Sequence, residues 1–151
     1  MQIGFHKTSD DEHTLQVCRA DGSKDRAALN SRSFLRHGLA HFAVDLEVPI
    51  NAGYWGGVAR GGALGGDGDM SGEMGLAEGL AGPVQTLMRT QADVPAYLAG
   101  LRRAEVHLEG AGIGSTELAG LAERIHERVR QLQGHWQATP YGGTMGLTWP
   151  E

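Results

Sequence analysis

The chain has 151 residues, one cysteine and a net charge of −5 at neutral pH. That length is the size of one domain with its own core, and a single folding unit is expected. The acidic balance excludes the clustered Lys and Arg on which phosphate-backbone binding rests, so no nucleic-acid partner is expected. The lone Cys18 rules out an intramolecular disulfide or a cysteine-rich zinc site and points to a reducing, cytoplasmic setting. The N-terminal run MQIGFHKTSDDEH is not a secretory leader, and no apolar run reaches the length of about 18 residues that a membrane span needs. No membrane partner is expected.

In chain order, Ile3, Phe5, Leu15 and Val17 alternate as the inner faces of two strands joined by the polar turn Ser9 to Glu12. Asp21-Gly22 marks a hairpin turn, of the kind in which both central residues take positive φ, into a third strand over about 24–29. Asn30 or Ser31 then caps a helix that runs to about Glu47, before Pro49. A short helix is expected over Ala52 to Arg60, with Tyr54, Trp55 and Val58 as anchors and Gly61-Gly62 as its end. The glycine-rich stretch at about 61–75 reads as a mobile loop.

From Ser71 the helical spacing returns in Leu76, Leu80, Val84 and Leu87, with a kink expected at Pro83. Asp93 caps a further helix with Pro95 in its first turn. The last helix is the cleanest: Leu118, Leu121, Ala122, Ile125, Val129 and Leu132 follow i, i+3, i+4, i+7, with Ser115 as cap and Gly134 as stop. Arg124, Arg128 and Arg130, interleaved with Glu123 and Glu127, belong to its solvated face. Met145, Leu147 and Trp149 alternate in the tail, after a turn at Pro140 to Gly143, which reads as a C-terminal hairpin. The sum is an α+β domain over 1–151: an N-terminal three-stranded antiparallel sheet, central helices and a C-terminal β-hairpin, the terminal strands sharing one sheet.

The segment SRSFLRHGLAHFAVDLE carries the chemistry. Leu35, Leu39, Phe42 and Leu46 form the core stripe of its helix, while His37, His41 and Asp45 form a separate stripe flanked by Phe34 and Gly38. An aromatic and a glycine beside the histidines imply a second element packed close, with the imidazoles at a seam. Histidines four apart on one face can each place a ring nitrogen about 2 Å from one ion, the spacing of many zinc sites. Gly38 stands where a HExxH metallopeptidase carries its general base, which argues against that class. Asp45 is either a third ligand or an acceptor that orients His41. Glu78 is the first candidate for the remaining ligand, with His107 and His126 behind it. Zn²⁺ is the expected ion, and metal-assisted hydrolysis the reaction class if a coordination position stays open. The alternative is a non-catalytic interaction module without metal, a homo-oligomer self-associating through Tyr54, Trp55, Trp136 and Trp149.

The run FLRHGLAHFAVDLEVPINAGYWGGVARG resembles a group of small, functionally uncharacterised bacterial proteins with an LHDLxHFAVE-type helix followed by a GfyG-type segment. The likeness covers about residues 3 to 62, with weaker echoes in GLAGPVQTLM and PYGGTMGLTW, and it implies no established activity. More distantly, the helix is similar to the HDxxH zinc-binding helix of a ubiquinone-biosynthesis scaffold protein. This chain departs from the first pattern at Gly38, in place of the acid, and at Asp45, in place of glutamate.

Three weaker signals have bland readings. Asp67, Asp69, Ser71, Gly72 and Glu78 fit a relaxed calcium-loop spacing, but the flanking helices are missing, so a flexible acidic loop is expected. GAGIGS, residues 110–115, after the strand-like EVHLE, reads as a helix-capping loop rather than a phosphate cradle. Cys18 has no base in sight and reads as a small buried residue.

Overall fold

A computed structural model describes residues 1–48, 53–64, 73–91, 93–103 and 115–150. The fold class is α+β, as the patterning predicts. Strands β1 (Gln2–Lys7), β2 (Glu12–Cys18) and β3 (Lys24–Asn30) form an antiparallel meander, and β4 (Thr144–Thr148) returns to the other side of β1, giving the order β3-β2-β1-β4. Between β3 and β4 lie α1 (Arg36–Glu47), α2 (Tyr54–Ala59), α3 (Glu73–Thr90), α4 (Val94–Arg103) and α5 (Ser115–Ala138). No helix among the described residues is long and apolar enough to cross a membrane.

Register explains the alternation. Phe5 pairs with Leu15 on one side and Met145 on the other, and Ile3 with Val17 and Leu147, so each row puts apolar side chains on the face that the helices cover. A slip of one residue would turn both rows to solvent. The tail therefore contributes a single strand whose partner is β1, not a C-terminal hairpin. Its turn is closed by Gly143 N–H donating to Pro140 O and by Gly142 N–H donating to Lys7 O. The Asp21-Gly22 turn also differs from expectation. Only Gly22 takes positive φ, at 83°, while Gly22 N–H donates to Arg19 O and Arg19 N–H to Ser23 O. That is a three-residue loop ending in a left-handed glycine, the second common hairpin solution.

Asn30 caps the histidine segment, its Oδ1 accepting from Arg32 N–H and Ser33 N–H, but the first turn, Ser31–Leu35, is π-helical before α1 begins. Residues 38 to 45 of α1 are all buried, so this helix is enclosed on every side rather than striped. The short predicted helix is α2, its C-terminal end tied down by Arg19, whose Nε donates to Val58 O and Nη2 to Gly62 O and Asp25. Helix α3 runs through Pro83 unbroken. Asp93 caps α4 by accepting from Ala96 N–H. The apolar positions predicted for α5 are all buried.

Helix α5 does not stop at Gly134. Lys7 Nζ donates to Trp136 O and Thr139 O, neutralising the last carbonyls, and lies 5.1 Å from the Trp136 ring centre. These contacts from β1 outweigh the roughly 1 kcal/mol that a helical glycine costs. The aromatic residues read as a self-association surface are mostly internal: Trp55 is wholly buried and Trp149 nearly so, with Trp136 and Tyr54 half-buried against the core. Most of the glycine-rich stretch, including Asp67 to Gly72 of the calcium-like pattern, and the segment 104–114 with His107 and most of GAGIGS lie outside the described residues.

Among the described residues, His13 is the one buried histidine far from the helix stripe in sequence. It packs against the Phe5 and Trp136 rings, and its Nδ1 lies 3.2 Å from Ser31 Oγ. Burial pushes its pKa down to about 4. The unfolded chain, with an ordinary imidazole near 6.5, therefore binds the extra proton first. Stability is full above about pH 6.5 and falls as pH drops towards 4, by on the order of 3 kcal/mol from this group. Chemical denaturation of the parent and His13→Gln between pH 4 and 7 should show a shallower slope in the variant. Equal slopes would remove the assignment.

Candidate metal centre

The π-helical turn and α1 set the phase of the histidine stripe, and α3 crosses it. His37 and His41, one turn apart on α1, stack edge to face with ring centres 4.5 Å apart. Glu78 of α3 reaches across the seam, its Oε1 3.0 Å from His41 Nε2 and 3.8 Å from His37 Nε2. One donor atom from each of the three lies within 4.8 Å of the others. Ligands at about 2.0–2.1 Å from a tetrahedral zinc stand about 3.3 Å apart. The two distances from Glu78 bracket that figure.

Burial divides the three. The His41 side chain is fully buried, whereas 32% of His37 and 27% of Glu78 remains exposed, so the cluster is reached from solvent past those two. Among the described residues neither ring nitrogen of His41 has a hydrogen-bond partner: at 3.0 Å from Glu78, Nε2 is close to the carboxylate but not aligned for a shared proton. Buried polar atoms are nearly always satisfied, so an orphaned imidazole is a cost that needs an explanation. The His37 pKa is held below its ordinary value, first by burial and then by His41, with Glu78 and Asp45 opposing. A neutral imidazole is the form that binds a metal.

Asp45 lies on the other side of the His41 ring. Its Oδ1 is 3.9 Å from His41 Nδ1, and its Oδ2 accepts from Trp55 N–H at 3.1 Å, capping the first turn of α2. It stands outside the three converging donors. The cap requires Gly53, because a Cβ there would lie 2.5 Å from the Asp45 carboxyl carbon. His126, on α5, is likewise no member of the cluster.

Gly38 has a physical reason. A side chain at this position would point between the Phe5 and Trp55 rings, each about a van der Waals contact away at 3.6 Å. An acid there would be buried in the core rather than placed beside the histidines, so position 38 offers this helix no general base. Its carbonyl instead accepts the Trp55 indole N–H at 2.9 Å. Sequence reasoning missed Gln85, whose side-chain amide lies 3.3 Å from His37 Nδ1. The signal was present: Gln85 follows Glu78 by seven residues, two turns along the same face of α3. Tyr54, at the start of α2, closes the inner wall, its ring centre 5.5 Å from that of His41 and 6.0 Å from that of His37.

No protein-family model, curated protein or solved structure matches this chain.

Proposed function

We propose that this protein is a zinc protein whose one ion is held by His37, His41 and Glu78, with the remaining coordination position open to water or substrate. The observation that carries the reading is His41, fully buried with both ring nitrogens unsatisfied and Nε2 facing a carboxylate and a second imidazole. An ion at that point would satisfy Nε2 and neutralise Glu78 together. Gln85 meets the other nitrogen of His37, Nδ1, through its side-chain amide; for His37 to ligate through Nε2 that amide must present its oxygen to Nδ1–H.

Two histidines and one carboxylate also make the donor set of non-haem iron sites, but with equal N and O donors the affinity order favours Zn²⁺ over Fe²⁺. Three protein ligands among the described residues, rather than four, are the pattern of catalytic rather than structural zinc. When bound, the ion would supply a water acidified to a pKa of about 7, hence a nucleophile at neutral pH and metal-assisted hydrolysis as the reaction class. His37 and Glu78 form the rim through which a substrate reaches it.

Elemental analysis of tag-free protein purified without chelator tests the reading. The expected result is about one equivalent of zinc per chain, restored by zinc salt after chelator treatment. Folded protein that takes up no metal in either condition would overturn it.

A further inference from the structure

Two buried polar atoms without partners face each other beside the cluster: His41 Nδ1 and Asp45 Oδ1, 3.9 Å apart. That gap exceeds hydrogen-bond length, yet among the described residues nothing else satisfies either atom. The second oxygen of the same carboxylate caps α2 through Trp55 N–H. We infer that Asp45 is a positioning residue rather than a ligand: it fixes the Nδ1–H tautomer of His41, so that Nε2 presents its lone pair to the metal. This rests on the zinc assignment above. Metal binding at Nε2 leaves the proton on Nδ1, and closing 3.9 Å to about 2.8 Å brings that proton onto Oδ1 in a charge-assisted bond. Because the same carboxylate holds the first turn of α2, loading the site also tightens the helix that carries Tyr54 against both imidazoles.

Asp45→Asn separates this role from the cap. Trp55 N–H needs an oxygen, so the asparagine keeps its carbonyl on α2 and turns its NH₂ group towards His41 Nδ1. Donor then faces donor in the metal-bound state, and the metal-free ring is biased to the tautomer that cannot ligate through Nε2. The expected result is a denaturation midpoint close to that of the parent with zinc affinity lowered about 10- to 100-fold, measured by competition with a chromophoric chelator. Asp45→Ala, which loses cap and acceptor together, should lose both stability and affinity. In the zinc-loaded parent the His41 Nδ1–H proton should give a downfield, slowly exchanging NMR signal that Asp45→Asn removes. A folded Asp45→Asn protein that binds zinc within about twofold of the parent, with that signal retained, overturns the inference and leaves the zinc site standing. A parent that binds no zinc overturns the site and this role together.

Discussion

Trp55→Ala is expected to lower folding stability by about 3–5 kcal/mol, a large share of what a domain of this size possesses. The indole is wholly buried between Phe5 and Phe42, with ring centres 6.1 and 6.2 Å away, and beside Tyr54 at 5.1 Å. Its Nε1–H satisfies Gly38 O in α1, and its backbone N–H satisfies Asp45, so one residue joins α1, α2 and the sheet. Alanine leaves the backbone bond to Asp45 in place but opens a cavity the size of the indole. The neighbours are large rings fixed by other contacts, so the space cannot collapse cheaply. Urea unfolding should show the midpoint falling at constant m-value, with Trp55→Phe, which keeps most of the volume and loses only the N–H, between the two. A change within about 0.5 kcal/mol is the behaviour of an exposed aromatic, and would restore Trp55 to an interaction surface.

That residue marks where sequence reasoning ended. Period-two alternation located β1, β2 and β4 because inward and outward positions differ sharply in polarity, and the apolar stripe located α5 for the same reason. Alternation says which face a strand buries but not which strand it pairs with, and the C-terminal strand found β1 through long-range register. The end of α5 was set by Lys7, more than 120 residues earlier in the chain, which no local stop signal can encode.

The site divides in the same way. His37 and His41 were legible because four-residue spacing fixes their common face, and Glu78 because an acid on the next long helix was the natural partner. Asp45 shares the spacing but not the target. Where α1 passes under α2, the Trp55 N–H in the first turn of that helix takes its carboxylate, and Gly53 provides the close approach. Gly38, an absence when seen as a missing catalytic acid, is the place where the Phe5 and Trp55 rings meet the helix.

His41→Leu should abolish zinc binding while leaving the metal-free protein at least as stable as the parent. The two halves of this expectation have opposite signs for one reason. In the metal-free state His41 contributes a buried imidazole with no hydrogen bond, so leucine, of similar volume, removes an unpaid desolvation cost of about 1–2 kcal/mol. Glu78 is partly exposed and stays solvated, and Asp45 keeps its bond to Trp55 N–H. In the metal-bound state that same imidazole is the inner anchor of the ion, and two partly exposed donors remain without it. Ligand binding stabilises the folded chain by mass action, about 2.7 kcal/mol when free zinc stands at 100 times Kd. Urea unfolding with zinc and with chelator should therefore show a zinc-dependent increment in the parent and none in His41→Leu. In chelator alone the order reverses or the two curves coincide. If the variant instead loses several kcal/mol without metal, the imidazole is hydrogen-bonded in the folded core, and His41 is structural. If the variant keeps the zinc increment, the ion is bound elsewhere on the chain.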